Sequence, residues 1–563
     1  MNVKKGTAVT ERRPDQDVDS GEIVPVDGNT IDNGVRRALK SRHLQMIALG
    51  GVVGPGTFYA TGYALQYSGP IGALIGYAII GIDVFFVTQS LGEMATLFPS
   101  TGSFNEFAGR FVDPALSFAL GWNYWSSLEM LSQNCNSSYA TCLRHPRSKY
   151  ALTEHQVTIL ANEYNGTALI LQYWTTAIPN WGWILICWVF FTCTSLLGVL
   201  VYGEMEFWLA SFKFFIIIAL YLVAILIDTG GIGGDYIGFR YWVNPDPFVN
   251  GINGFGKVLV LAAVMYSGTE AVAITAGESR NPKRDLPKAL RQTFWRIIIV
   301  YMGMIFFVGI ICPSDSDELL NADSKTASAP FTIALERAGW AGAGNLINTI
   351  IVITVLSAIN SSIYIGSRTL CAHAAVGRAP AFLGKTTSRG VPANAILFTS
   401  TCGLIALLNI SSSAGTVFGY LLDISGAAAF IAWAFIGLTH LRMRKAMTAQ
   451  GISTEVLPFR SVLFPYIPWA LVIINIFLVF IQGYTTLLAP FAPVDFVFFY
   501  LVIPLFIIFY LGWKFWHKTK FIKPHEADLV SGRRDWLNSQ GNHADNDIED
   551  ISFWKRARRT IVG

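Results

Sequence analysis

An all-α polytopic membrane protein is the fold class that three features of the sequence predict. Apolar residues fill 52% of the 563 positions and charged residues only 14%, where ordinary soluble domains are about 25% charged. The apolar residues gather into runs long enough to cross a bilayer. Lys and Arg collect in alternate connections between those runs. The same composition excludes a disordered chain, a nucleic-acid binder and a disulfide scaffold. A net charge of +4 over such a length points to no acidic partner.

A crossing helix needs roughly 20 mostly apolar residues. Spans are predicted at 46–67, 70–91, a broken third region, 181–201, 206–227, 253–273, 295–313, 343–366, 392–410, 418–440, 464–486 and 491–513. That makes twelve transmembrane helices if the third region counts once. Residues 1–41 then form one polar tail, 42–513 the transmembrane domain and 514–563 the second tail. No apolar core of a cleavable signal follows Lys4, Lys5, Arg12 and Arg13, so the first span is expected to act as an uncleaved anchor.

Basic residues set the orientation. Arg36, Arg37, Lys40 and Arg42 precede span 1. Arg280, Lys283, Arg284, Lys288 and Arg291 follow span 6, and Arg368, Arg378, Lys385 and Arg389 follow span 8. Arg442, Arg444 and Lys445 follow span 10; Lys514, Lys518, Lys520 and Lys523 follow span 12. All fall on one side if both termini are cytoplasmic. The opposite loop 314–329 is acidic, with Asp315, Asp317, Glu318 and Asp323.

The third region starts as apolar sequence at 113–125, gives way to a polar block at about 126–156 and resumes from Val157 to Trp174. Two separate crossings here would put every later basic loop outside, so parity requires one. The block is then either an extracellular insertion or foreign to the working protein. Cys135 and Cys142 lie in it and could pair only if it faces outside. Cys187, Cys193, Cys312, Cys371 and Cys402 lie in or beside apolar segments and read as packing residues.

Two spans carry chemistry. Span 1 contains Gly50, Gly51, Gly54, Pro55 and Gly56, followed by Thr57, a composition that breaks helices. Open backbone at membrane depth survives only in a protein interior or a cavity. A helix end there offers N–H groups to a carboxylate; close packing through small residues is the bland alternative. Span 6 contains Tyr266-Ser267-Gly268-Thr269-Glu270, another breakable stretch with an ionisable group inside it. Interruptions at matching places in two halves are the sequence sign of a transporter site between inverted repeats. A 5+5 repeat followed by two more spans gives twelve.

Other membrane charges are Glu163 in the third region and Lys213 about two turns into span 5; together with Glu270 they are the candidates to trade a proton with solvent. Glu93, Glu204 and Glu206 sit at span ends and read as a cytoplasmic ion-pair network. His373 and His440 read as surface residues, and the aromatic ends of spans 11 and 12 as an interface belt. There is no Walker loop, nucleophile elbow or His pair at metal spacing, so no enzyme activity, cofactor or metal is expected.

Ordered motifs from about Leu39 to Arg534 carry a family resemblance. They include LGGVVGPGTF (49–58), LGEMATLFPSTGSF (91–104), FVDPALSFALGWNYW (111–125), GEMEFW (203–208), SGTE (267–270), ESRNPKRDLPKALRQTFWRI (278–297) and VLSAINSSIYIGSRTL (355–370). With these the chain resembles fungal amino-acid permeases of the yeast amino-acid transporter family, in the amino acid–polyamine–organocation superfamily. The resemblance implies a LeuT-like 5+5 fold with two extra helices, and proton-driven uptake of amino acids across the plasma membrane. It implies that the substrate carboxylate sits on Gly54, Gly56 and Thr57, and the amino group on Tyr266, Ser267, Gly268, Thr269 and Glu270. It implies that Tyr266 gates the pocket, that Lys213 replaces a sodium ion, and that Glu163, Asn360, Ser361, Ile424 and Trp433 line the remainder. Proline stands at 55 where the family usually has threonine, which removes one N–H donor, and Thr57 replaces the usual leucine. Relatives run straight through the position of 126–156, which reads as an unspliced intron. A transport-poor nutrient receptor and an exchanger on the same fold are the alternative functions. The tails carry no signalling domain, which favours transport, and their lysines could serve ubiquitin-ligase machinery.

Overall fold

The computed structural model describes residues 31–32, 35–36, 39, 41–50, 56–125, 155–279, 282–316, 319, 329–340, 342–410, 414–488 and 490–531. The polar block at about 126–156 lies almost wholly outside them, with Gly54 and Pro55. Apart from a two-residue antiparallel ribbon, Ile31–Asp32 with Val35–Arg36, the described residues are helices and their connections.

Helix α1 spans Ser41–Gly50 and α2 spans Gly56–Leu97. At 1.5 Å per residue the 42 residues of α2 would reach about 63 Å, twice the hydrocarbon thickness. The chain turns where the sequence separates spans 1 and 2: Gly69 has φ 69° and Pro70 follows it. A Cβ on Gly69 would lie 2.7 Å from the carbonyl oxygen of Pro247, so only glycine fits the turn. Helices α3 (Ser103–Phe111), α4 (Pro114–Trp125) and α5 (His155–Leu171) follow, the last two flanking the block.

Next come α6 (Asn180–Leu196) and α7 (Val199–Asp228). Helix α7 shows how the sequence sorts lipid from protein. Tyr202, Glu206, Ala210, Lys213, Ile217, Leu220, Ala224 and Ile227 are buried at three- and four-residue spacing. Trp208, Phe212, Phe215, Leu222 and Ile225 are exposed on the other side. An apolar face of that size belongs in lipid.

Span 6 is two helices, α8 (Gly251–Tyr266) and α9 (Ala271–Thr275). Then come α10 (Pro282–Arg296), a π-helical stretch Ile297–Met302 and α11 (Gly303–Ile311). The remainder is α12 (Ala343–Ala375), α13 (Ala393–Cys402), α14 (Ala414–Ala449), α15 (Tyr466–Ile481), α16 (Pro493–Tyr500) and α17 (Val502–His517). Among the described residues seven helical stretches are long and apolar enough to cross a membrane, or eight with α16 and α17 joined across their 41° bend. The other expected spans fall short by length: α6 is a short apolar helix, as is Ala393–Leu407, and the described helical parts of spans 1 and 3 are each under 18 residues without a gap.

The structure corrects several readings. His373 and His440 are buried, at 3% and 0% exposure, not surface residues. His373 packs so tightly on Gly121 that a Cβ there would lie 1.0 Å from its ring nitrogen. Arg368 is inside α12 rather than in a loop, because that helix runs nine residues past the predicted end at 366. Lys283 to Arg291 sit on α10 rather than in an open loop. Cys193 is exposed and does not pack in the interior. Tyr466, Trp469, Phe515 and Trp516 are exposed at the ends of spans 11 and 12, where an interface belt would be.

Candidate functional site

Span 6 breaks where Ser267, Gly268 and Thr269 make a helix unsustainable. Tyr266 ends α8, Ser267 is extended at φ −56° and ψ 148°, and Gly268 takes φ 86°. The left-handed value is open to glycine and costly for other residues. Little of the break is exposed: Tyr266, Ser267, Thr269 and Glu270 are each at most 2% accessible. Its polar groups are partly tied back. The Thr269 hydroxyl donates to the Tyr266 carbonyl at 2.6 Å, and the Gly268 N–H donates to Glu270 Oε1 at 3.1 Å. The Trp433 indole on α14 donates to Glu270 Oε2 at 3.5 Å. The Ser267 hydroxyl, buried, has no hydrogen-bond partner among the described residues.

Span 1 lies beside it. Helix α1 ends at Gly50 and α2 begins at Gly56, leaving 51–55 outside the described residues. Thr57 and Phe58 are buried in the first turn of α2, and the Thr61 hydroxyl donates to the carbonyl of either at 3.2 Å. The short α9 packs against α1. The Leu39 N–H, just before α1, donates to the Glu278 carbonyl at 3.1 Å, just past α9. Spans 1 and 6 therefore lie side by side. Tyr266 packs on Tyr77 and Tyr301, with ring centroids 6.1 and 4.3 Å away, and its hydroxyl donates to the Tyr77 carbonyl at 3.2 Å.

A second polar group sits between α5, α7 and α12. Lys213 is buried and its charge is felt by both Glu206 and Glu163. Glu206 lies seven residues before Lys213 on the same face of α7, two turns away. It accepts from Ser357 Oγ at 2.9 Å and Asn360 Nδ2 at 3.5 Å, both on α12. This corrects the grouping of Glu206 with the cytoplasmic ion pairs. Glu163 Oε2 is buried without a hydrogen-bond partner among the described residues. Thus Glu163, Lys213 and Asn360 come together, while Glu270 and Trp433 belong to the other group. Ile424 lies on α14, and its side chain is outside the described residues.

The other two end carboxylates do form ion pairs. Glu204 meets Arg42 and His43. Glu93 meets Arg444 and His440.

Several buried charges escaped the sequence reading. Arg296 is fully buried on α10 and donates to the Thr269 hydroxyl. Asp83 on α2 accepts the Asn475 amide on α15 at 2.9 and 3.0 Å. Glu278 accepts from Arg368 Nε at 3.0 Å and from the Tyr364 hydroxyl at 2.6 Å. Asp83 and Arg296 both fall inside predicted spans, so the rule that flagged Glu270 could have found them.

Comparison with known proteins identifies the fold and the family. The structure is similar to a manganese transporter of Eremococcus coleocola with a TM-score of 0.52, covering 84% of this chain and 93% of that one at 15% identity. That likeness supports the LeuT-like fold. A family model described as amino acid permease matches residues 43–526. The chain belongs to the amino acid permease family. It is 39% identical to an amino-acid permease of Schizosaccharomyces pombe, over 97% of this chain and 96% of that protein. It is also 39% identical to the general amino acid permease AGP3 of Saccharomyces cerevisiae, over 95% of this chain and 93% of that protein. As a permease it is an integral membrane transporter and not an enzyme.

Proposed function

We propose that this permease takes up amino acids across the plasma membrane by proton symport, with alternating access around the two broken helices. The observation that carries this reading is the buried, unwound stretch Ser267–Glu270, whose serine hydroxyl has no partner among the described residues. A buried polar atom without a partner costs about 1–3 kcal/mol, a cost a bound ligand can remove. Carbonyls of the stretch suit the substrate ammonium. The helix end at Gly56 and Thr57, with Gly54 before it, suits the carboxylate. Tyr266 gates the pocket from among its tyrosine neighbours. Glu270, Lys213 and Glu163 are the candidates for carrying the coupled proton. Both termini are cytoplasmic in this reading, which rests on the basic residues of the alternate loops. Lys518, Lys520 and Lys523 are exposed and open to a ubiquitin ligase, whereas Lys514 is engaged by Asp113. The block at 126–156 is an interruption of span 3 that transport does not need.

The test is uptake of a panel of radiolabelled amino acids into transport-deficient fungal cells, with and without a proton uncoupler. Two forms are compared, the full chain and one lacking about 127–156. Uncoupler-sensitive uptake by the shortened form is expected. Uptake indifferent to the uncoupler would mean exchange, and silence from both forms at the cell surface would favour a receptor. In whichever form is active, Lys213→Met is expected to abolish accumulation while leaving the folded yield intact. Unaltered accumulation would reduce Lys213 to packing.

A further inference from the structure

The guanidinium of Arg296 is as deeply buried as any side chain in the molecule, and nothing about its position is incidental. An Arg side chain keeps its charge in proteins, and an unbalanced charge in the interior is very costly. Arg296 donates to Thr269, and Glu270 is the next residue along the broken span, so its carboxylate is the acidic group that this contact brings toward the guanidinium. The other titratable groups facing Glu270 are Tyr124 from α4 and Tyr301 from the π-helical stretch. The Thr269 hydroxyl in turn donates to the Tyr266 carbonyl at 2.6 Å. A cation thus reaches the open backbone of the break through one threonine.

The backbone next to Arg296 is built for this. The helix widens into i→i+5 bonding over Ile297–Met302, immediately after Arg296. Such π turns are uncommon and gather at functional sites. Arg296 and Tyr301 are five residues apart, so the widened turn brings both onto the side that faces the break. Tyr301 packs on Tyr266 with ring centroids 4.3 Å apart and the ring planes tilted by 56°. The Tyr221 hydroxyl, from α7, donates to the Ile299 carbonyl at 2.5 Å, which secures the turn.

We propose that Arg296 is a positioning residue of the substrate site: it pins the unwound stretch through Thr269, and Glu270 is its fixed counter-charge. The inference deepens the symport reading and narrows it. If Glu270 is held as a permanent partner, the transferable proton belongs to the Glu163–Lys213–Glu206 group, where one buried carboxylate oxygen lacks a partner among the described residues. Glu270 and Arg296 then stand or fall together.

A double-mutant cycle on the detergent-purified full chain tests the pair without transport. Arg296→Met and Glu270→Gln are each expected to lower the melting temperature, and the double variant is expected to melt above the lower of the two. A double variant that melts at the sum of the single losses would overturn the pair. Arg296→Lys, which keeps charge but loses the fork, tests positioning through uptake and through the melting shift that amino acids induce. Its KM is expected to rise ~tenfold with the maximal rate kept; an unchanged KM would overturn the positioning role. In cells, the double variant is expected to take up amino acids with a raised KM, as the positioning role requires, and the uptake that remains is expected to be uncoupler-sensitive with an unshifted pH profile. Loss of that sensitivity would return the proton to Glu270. If the unaltered chain neither transports nor responds to any amino acid, the symport reading and the positioning role both fall, while the melting cycle still decides the charge pair.

Discussion

Two buried carboxylates, Glu93 and Glu270, have opposite surroundings. Glu93 is saturated: it accepts from Arg444 Nε at 2.5 Å and Nη2 at 3.0 Å, from the Ser461 N–H at 2.8 Å, and meets His440 Nε2 at 2.9 Å. Those partners join α2 to the end of α14 and the loop before α15, so the cluster is a rivet. Glu270 takes the Gly268 N–H and a long indole contact, with Tyr124 and Arg296 facing it, and lies next to a serine hydroxyl with no partner among the described residues. A saturated buried cluster serves the fold, and one beside an unpartnered hydroxyl leaves room for a ligand. Burial alone does not separate them, since both carboxylates are essentially inaccessible.

The largest expected effect breaks the rivet. Glu93→Gln leaves Arg444 buried without its counter-charge, which costs about 3 kcal/mol or more. The melting temperature and surface yield of the folded chain are expected to collapse, whatever substrate is present. A variant that reached the surface in normal amounts would show that saturation does not mark structural clusters. On the other side of the comparison, Gly268→Val places a β-branched residue at φ 86°. That conformation costs a non-glycine residue roughly 1–2 kcal/mol, so the backbone of the break must shift to accept it. Uptake is expected to fall more than ~tenfold while most of the folded protein remains. Unchanged uptake would remove the stretch from the substrate path.

How far the sequence reveals this contrast depends on the kind of signal. The break in span 6 is legible because Ser-Gly-Thr is a poor helix sequence wherever it sits, and the Gly69–Pro70 turn because both residues act locally. The long buried stripe of α7 follows from spacing. What spacing cannot show is which charges meet across elements. Arg368 looks like a loop residue until α12 is seen to continue past it toward Glu278. His440 looks like a surface residue until Glu93, 347 positions away, is found against its ring. Arg296 falls inside a predicted span and so is open to the rule for membrane charges, but its partner Thr269 is not, because pairing across a fold leaves no mark on local composition.

The smallest predicted effect lies within one motif and sharpens the comparison most closely. Glu204 and Glu206 are two residues apart in GEMEFW, about 200° around a helix of 3.6 residues per turn. Glu204 therefore faces outward, 43% exposed, and pairs with Arg42, itself 49% exposed. Exposed pairs contribute little, since water and salt screen them. Glu206 faces inward to Ser357, Asn360 and the Lys213 charge. Glu204→Gln is expected to leave melting temperature and uptake unshifted. Glu206→Gln keeps the shape and most hydrogen bonds, so the fold is expected to persist, but Lys213 loses a facing charge and accumulation is expected to fall. Measuring both variants together removes the ambiguity of either alone, because they share a helix, a motif and a substitution. Equal effects would mean that the second polar group is only another structural pair, and the coupled proton would have to be sought at Glu270 after all.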